Sequence, residues 1–195
     1  DHAFDRVSHD YLFHTMQRFG IDVALINIIK KIFAIATTKI LINGRLTSSL
    51  KIERSVRQGC PLAMHLFAIA IEPFLQKLQH CLQQDKQTIV RAFADDVSIV
   101  ITKQQHFQEI ERITAEYMRA SGAKLNESKT VGLSLGPNKM EIPHWIHTKL
   151  QVKILGVMFL SSLRDTIRQN WETVTNNIRQ VLQGNRYSES NLCTL

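Results

Sequence analysis

The sequence predicts an α+β fold with a mainly antiparallel sheet packed on helices. Two observations predict it. Segments with apolar residues at helical spacing alternate with strand-like segments. Two pairs of these strand-like segments are joined by short turns, which is typical of antiparallel hairpins. Hydrophobic residues make up 44% of the 195 residues, enough to form a packed core.

The first quarter of the chain predicts two helices and a hairpin. Ser8 and Asp22 suit the first position of a helix, because their side chains can accept a backbone N–H. The apolar residues that follow are Leu12, Met16 and Phe19 after Ser8, and Leu25, Ile28, Ile29 and Ile32 after Asp22. The stretch TKILINGRL (38–46) predicts a strand that turns at Asn43-Gly44, with a return strand to about Val56.

The middle of the chain predicts a buried helix followed by two strands. Residues 62–82 are apolar nearly all round and follow Pro61, which suits the start of a helix. Pro73 should kink or divide this helix. Residues 88–101 predict the two strands.

The last part predicts an amphipathic helix, two strands and a final helix. The first of these helices covers about 104–121, with Phe107, Ile110, Ile113 and Tyr117 facing inward and Gly122 ending it. Strands are predicted at 129–135 and 152–160, with a loop around Pro137 and Pro143. The final helix covers about 164–183 and carries Ile167, Trp171, Val174 and Ile178.

The charge and the cysteines restrict the class of protein. A net charge of +7 favours a polyanionic partner, nucleic acid being the commonest, although it is also compatible with a solvated surface. Cys60, Cys81 and Cys193 form no C-x-x-C pair, so a reducing interior is favoured over a disulfide framework or a structural zinc site. No apolar run reaches the roughly 18 residues of a membrane span.

Two adjacent carboxylates interrupt the stretch RAFADDVSIVI (91–101). We expect Asp95-Asp96 to occupy a hairpin turn, where Gly or Asn is preferred and paired charges repel each other. A local rule broken in this way often marks a functional site. Clustered carboxylates suit Mg²⁺, and two such ions about 4 Å apart can assist phosphoryl transfer. A solvated surface turn is the alternative interpretation.

Five sequence blocks together resemble the reverse transcriptase domain of non-LTR (LINE-type) retrotransposons. They are HAFDRVSHDYL (2–12, the AFD block), VRQGCPL (56–62, the RQG block), FADD (93–96), GAKLNESKT (122–130) and ILGV (154–157). The resemblance implies a polymerase palm over residues 1–160, with a catalytic Asp-Asp β-hairpin, and the truncated start of a thumb or connection over 161–195.

The resemblance also implies roles for individual residues. The catalytic residues would be Asp95, Asp96 and Lys129, of which Asp95 and Asp96 would bind two Mg²⁺ ions, with Mn²⁺ as a substitute. The substrate-binding residues would be Phe4, Arg57, Gln58 and Gly59, and the primer grip would be Leu155 and Gly156. Phe4 would crowd the sugar 2′ position and so favour deoxynucleotides. His9 is interpreted as structural. The alternatives are core packing for Phe4, a solvated charge for Lys129, an ordinary turn at the start of a helix for Gln58 and Gly59, and a plain buried strand for Leu155 and Gly156.

The match departs from the family at its start. Family members place the first catalytic aspartate four residues before the Ala of the AFD block, which here is Ala3. That position lies before Asp1, Asp5 matches a later aspartate that is not a metal ligand, and His2 replaces a lysine. We therefore expect a palm that lacks the fingers and the first catalytic Asp, and that is inactive by itself.

The function implied by the resemblance is RNA-templated DNA synthesis. The expected partners are an RNA template, a DNA primer and dNTPs, with no membrane. The expected location is intracellular, in the nucleus with a cytoplasmic ribonucleoprotein phase, and not secreted. A related intron or telomere reverse transcriptase fits RQGCPL with FADD less well. A non-catalytic, nucleic-acid-binding relic of a decayed element remains the alternative from another class.

Overall fold

The computed structural model describes residues 3–52, 54–56, 60–82, 87–136 and 140–189, and for 184–189 the backbone alone. The chain divides into two compact units, Asp1–Asn126 and Glu127–Leu195. None of the described helices combines the length and apolar character needed to cross a membrane.

The first unit contains five of the described helices. They are α1 (Ala3–Arg6), α2 (His9–Arg18), α3 (Val23–Ala34), α4 (Ala63–Leu82) and α5 (His106–Ser121). The Asp22 carboxylate accepts the Ala24 N–H at 2.7 Å and caps α3 as predicted. Ser8 occupies the corresponding position of α2, but its side chain makes no capping hydrogen bond. Helix α4 runs through Pro73 as one element, so Pro73 does not divide it, and a kink there stays a prediction.

The strands of the first unit form three antiparallel pairs. They are β1 (Thr37–Thr38) with β4 (Leu50–Lys51), β2 (Leu41–Ile42) with β3 (Arg45–Leu46), and β5 (Ile89–Phe93) with β6 (Asp96–Val100). Asn43 and Gly44 have φ of 47° and 78°, so they make the predicted two-residue turn. The return strand ends at Lys51 rather than near Val56, because the chain beyond it bonds to the α1–α2 segment instead.

The core of the first unit lies around α2 and α4. Helix α4 packs against α2 and α5, and α2 also packs against α3. The buried cluster contains Val7, Leu12, Met16, Ile26, Ile29, Val56, Ala63, Leu66, Phe67, Ala70 and Ile71. Of the apolar stripe predicted on α3, only Ile29 is buried, since Leu25, Ile28 and Ile32 are about half exposed. The inward face predicted for α5 is confirmed, because Ile110 and Ile113 are buried.

Two tyrosines lie between α2, α4 and α5. The Tyr11 hydroxyl donates to the Ala70 carbonyl at 3.1 Å, and the Tyr117 ring stacks on Phe74 at 4.8 Å. Burial raises the pKa of Tyr11, and burial together with the nearby Tyr11 raises the pKa of Tyr117 to about 12. Both phenols therefore stay neutral to a higher pH than an exposed tyrosine does.

The second unit is smaller and contains a hairpin and one long helix. A 3₁₀ turn (Glu127–Lys129) precedes β7 (Val131–Gly132), which pairs parallel with β8 (His147–Thr148). The antiparallel hairpin of β9 (Gln151–Ile154) and β10 (Val157–Leu160) precedes α6 (Leu163–Glu189). The Asn170 side chain bonds to both the N–H and the carbonyl of Met158, at 2.9 and 2.7 Å, which ties α6 to β10.

Three strand predictions need correction. The stretch 152–160 is a hairpin rather than one strand, since Leu155 and Gly156 (φ 46° and 90°) form a two-residue turn. Of the predicted strand 129–135, only Val131–Gly132 pairs. Antiparallel pairing does prevail, but in the described part of the chain the strands form separate two-stranded pairs rather than one sheet. The result is a mixed α+β structure with small, mainly antiparallel sheets.

Candidate active site

The two aspartates lie at the end of the β5–β6 hairpin. Phe93 pairs with Asp96, so the turn consists of Ala94 and Asp95. The prediction that placed Asp95-Asp96 in the turn is therefore wrong by one residue, because Asp96 begins β6. Ala94 takes the positive φ (52°) that such a turn requires and that Gly or Asn usually supplies. A non-glycine residue in this conformation is uncommon and concentrates at functional sites.

The strand register separates the two faces of this hairpin. Directly paired residues share a face, which places Arg91, Phe93 and Asp96 on one side. Val90 and Val97 lie on the other side, where Val90 is 1% exposed and Val97 packs against the core cluster. The core therefore anchors one face of the hairpin, and Asp95 and Asp96 are both exposed beyond it.

The donor chemistry of the pair fits a divalent cation with further ligands from elsewhere. Carboxylate oxygens are the ligands of a hard cation, and Mg²⁺ is usually bound by one or two carboxylates, with substrate phosphates and water completing its shell. Within the described ranges, no cluster of three or more His, Cys, Asp or Glu side chains could hold a metal ion. A divalent ion held by Asp95 and Asp96 would therefore need further ligands, such as substrate phosphates and water.

Phe4 is positioned by α1 and by the segment that leads into the RQG block. Its ring stacks on Phe67 with centroids 4.3 Å apart and is only partly buried. Its carbonyl oxygen accepts the N–H of Val56 at 2.7 Å. Arg57, Gln58 and Gly59 lie outside the described residues, but chain connectivity places Arg57 directly after Val56. The structure thereby brings Phe4 to the start of the RQG block.

Three hydrogen bonds hold Ser55, the residue before Val56. Its N–H donates to the Val7 carbonyl at 3.1 Å, and its hydroxyl donates to the Asp5 carboxylate at 3.0 Å. The Nε2 of His9 lies 3.0 Å from its carbonyl oxygen. The sequence contained no signal for these contacts, beyond the fact that Asp5 and His9 match family positions.

The C-terminal end of α5 contacts the segment around Arg6 and Ser8, next to the residues that bond to Ser55. The Ser8 N–H donates to the carbonyl of Ser121 at 2.8 Å, and Ser121 is fully buried. Gly122 follows with φ 77°, and a Cβ built there would lie 3.2 Å from the Arg6 carbonyl oxygen. Three of the five sequence blocks, which start at His2, Val56 and Gly122, therefore converge within the first unit.

The remaining predicted site residues belong to the second unit. Lys129 ends the 3₁₀ turn and is exposed. Leu155 and Gly156 form the turn of the β9–β10 hairpin, and Leu155 is 62% exposed. The roles suggested for these three residues stay predictions.

Comparisons with known proteins identify the family. A family model described as "Reverse transcriptase (RNA-dependent DNA polymerase)" matches residues 1–159. The chain belongs to this reverse transcriptase family.

Retrotransposon proteins are among its relatives. The chain is 35% identical over 180 residues to the Transposon TX1 uncharacterized 149 kDa protein of Xenopus laevis, a match that covers 87% of the chain. It is 31% identical over 137 residues, or 68% of the chain, to the Retrovirus-related Pol polyprotein from type-1 retrotransposable element R2 of Popillia japonica. These matches span only 14% and 23% of the two relatives. The resemblance to non-LTR retrotransposon reverse transcriptases is confirmed.

Proposed function

We propose that the protein containing this chain synthesises DNA on an RNA template. In this reaction the 3′-hydroxyl of a DNA primer attacks the α-phosphate of a dNTP, and pyrophosphate leaves. The family match supports the reaction type. The single observation that carries the proposal is the FADD hairpin, whose core-anchored face leaves both carboxylates exposed at its end.

Reverse transcriptases generally use divalent metal ions. In this chain Asp95 and Asp96 would hold them, as Mg²⁺ or as Mn²⁺. When bound, such ions neutralise negative charge on the attacking and leaving oxygens of the phosphoryl transfer. Because both carboxylates are exposed, their oxygens can approach the phosphates of a bound nucleotide.

The other predicted residues would bind the substrates. The Phe4 ring, fixed by its stack on Phe67, would exclude a 2′-hydroxyl and so favour deoxynucleotides. Gln58 and Gly59 would lie beside the incoming nucleotide and Arg57 would contact phosphate. Lys129 would approach the triphosphate, and Leu155 and Gly156 would hold the primer.

The charge of the chain supports a nucleic-acid partner. With a net charge of +7, binding to an RNA–DNA duplex should release counterions and weaken steeply as salt rises. In this proposal the protein acts in the nucleus, after a cytoplasmic ribonucleoprotein phase.

A non-catalytic nucleic-acid-binding protein is the second candidate. The observation that favours it is that Asp95 and Asp96 have no third carboxylate, His or Cys clustered with them in the described part of the chain. Such a protein would bind nucleic acid through its net positive charge without catalysing DNA synthesis.

Primer extension by an Asp95→Asn variant tests the proposal. The assay uses a purified protein that contains residues 1–195, a primed RNA template, dNTPs, and Mg²⁺ or Mn²⁺. Asp95→Asn conserves volume at an exposed turn, so it should lower extension by about two orders of magnitude or more while the salt-dependent binding of primer–template stays unchanged. Asp10→Asn, an exposed carboxylate in the first turn of α2, is the matched control and should extend normally.

The outcomes separate the two candidates. Wild-type protein that binds primer–template but never extends it would support the non-catalytic candidate. Extension by Asp95→Asn at the wild-type rate would refute the assignment of Asp95.

A further inference from the structure

We propose that Asp5 and His9 are positioning residues that hold Ser55 in a left-handed conformation and so fix Val56, the first residue of the RQG block, against Phe4. The inference rests on the proposed function, since it concerns the nucleotide site of that reaction. It gives a role to Asp5 and His9, which are separate from the proposed metal ligands Asp95 and Asp96.

Ser55 has a backbone conformation that requires support. Its φ is 101°, in the region that favours glycine and that a residue with a Cβ rarely adopts. Such a conformation persists only where the surrounding structure determines it, and it concentrates at functional sites.

Every polar group of Ser55 is bonded to residues 5–9, which run from α1 across the junction to the first residue of α2. The N–H reaches the Val7 carbonyl and the hydroxyl reaches the Asp5 carboxylate. The Ser55 carbonyl oxygen can only accept, so the Nε2 of His9 donates to it. The His9 ring is itself oriented by stacking on Phe33, with centroids 4.6 Å apart. Three bonds from one short segment thus determine a single residue.

The conformation of Ser55 determines the direction in which the chain continues to Val56. Val56 is 1% exposed and its N–H bonds to the carbonyl of Phe4 at 2.7 Å. Val56 is the first residue of the RQG block, so the start of that block is tied directly to Phe4. A change at Ser55 would therefore move Val56 relative to the ring of Phe4, and the residues proposed to bind substrate follow Val56 directly in the chain.

The identity of residue 55 supports this interpretation. Glycine would adopt φ 101° without strain but has no hydroxyl to donate to Asp5. Serine keeps that donor at the expense of backbone strain. The hydroxyl bond between Ser55 and Asp5 therefore has a use that the conformation alone does not supply.

Single-nucleotide extension by paired variants tests the proposal. His9→Leu and Asp5→Ala each remove one bond to Ser55, and each should raise the KM for dNTP about tenfold, the size expected for one lost hydrogen bond. The affinity for primer–template should not change. The variants His9→Gln and Asp5→Asn keep a donor and an acceptor, respectively, and should restore most of the wild-type KM. His14→Leu, an exposed histidine of the same helix, is the matched control and should leave the KM unchanged.

A purely structural role would give a different result. It would lower the amount of folded protein, and hence the overall rate, without moving the KM for dNTP or showing rescue by the conservative variants; that result overturns the proposal. If His9→Leu or Asp5→Ala fails to fold, Ser55→Ala replaces it, because alanine keeps the strained φ and removes only the hydroxyl. An unchanged KM in Ser55→Ala would also overturn the proposal.

The failure of this inference is distinguishable from that of the proposed function. If the wild-type protein does not extend primers at all, the proposed function fails and the inference fails with it. If the wild-type protein extends primers and the KM for dNTP is the same in all variants, the inference alone fails.

Discussion

Replacing Gly122 with alanine tests how α5 joins the AFD block. Gly122 closes α5 with φ 77°, and its added Cβ would lie 3.2 Å from the Arg6 carbonyl oxygen and 3.5 Å from the Arg54 guanidinium. Gly20, which follows α2, is a matched control with φ 70° and no atom within 4 Å of its Cβ position. The two substitutions therefore share the conformational cost and differ in the crowding.

The magnitudes follow from these two terms. A left-handed conformation costs an alanine about 1 kcal/mol relative to glycine, and this is the whole expected loss for Gly20→Ala. Crowding against a backbone carbonyl adds about 1 to 3 kcal/mol, because Arg6 belongs to α1 and cannot move alone. Gly122→Ala should thus lower the free energy of unfolding by about 2 to 4 kcal/mol.

Urea unfolding followed by far-ultraviolet circular dichroism measures both losses. The midpoint of each transition, multiplied by a common m-value, gives the change in the free energy of unfolding. Equal losses for Gly20→Ala and Gly122→Ala would refute the reasoning, since they would show that the Arg6 carbonyl does not restrict the end of α5.

Two further predictions concern Phe4 and Tyr117. Phe4→Val should raise the ratio of ribonucleotide to deoxynucleotide incorporation in an active protein that contains this chain, because a smaller side chain leaves room for a 2′-hydroxyl; an unchanged ratio would leave Phe4 with core packing against Phe67 alone. The pKa of Tyr117 is about 12 in the folded protein against an ordinary 10. The unfolded chain therefore loses this proton first as the pH rises between these values, and stability should fall by about 2 to 3 kcal/mol over that interval. Tyr117→Phe should remove most of that loss in urea unfolding at increasing pH, and an identical loss in the variant would contradict the assignment.

Local patterns in the sequence determined most of the helices and two of the hairpins. The spacing of apolar residues and the glycine after Ser121 predicted α5 nearly to its ends, and Asp22 caps α3 as expected. The pair Asn43-Gly44 correctly predicted the turn between β2 and β3, because both residues readily adopt a positive φ. These features depend on neighbours along the chain, which a sequence displays directly.

The sequence did not predict which residues of neighbouring strands pair, and so it did not predict the exact positions of two hairpin turns. The turn of the FADD hairpin lies at Ala94-Asp95 because β5 and β6 pair Phe93 with Asp96, and Ala94 carries no signal for a positive φ. The hairpin turn at Leu155-Gly156 was missed because the apolar residues on both sides of Gly156 were interpreted as one strand, although a glycine inside a strand pattern can mark a break. Pairing between strands, rather than propensity, decided both.

Some features of the candidate site could likewise be predicted from the sequence, and others only from the tertiary structure. The sequence blocks alone pointed to Asp95, Asp96 and Phe4, because their residue types and order resemble a family. Only the tertiary structure revealed how Asp5 and His9 hold Ser55, since these contacts join residues 50 and 46 positions apart in the chain. No local pattern encodes a hydrogen bond over such a separation. It exists because folding brings α1 and α2 against the segment that leads into the RQG block.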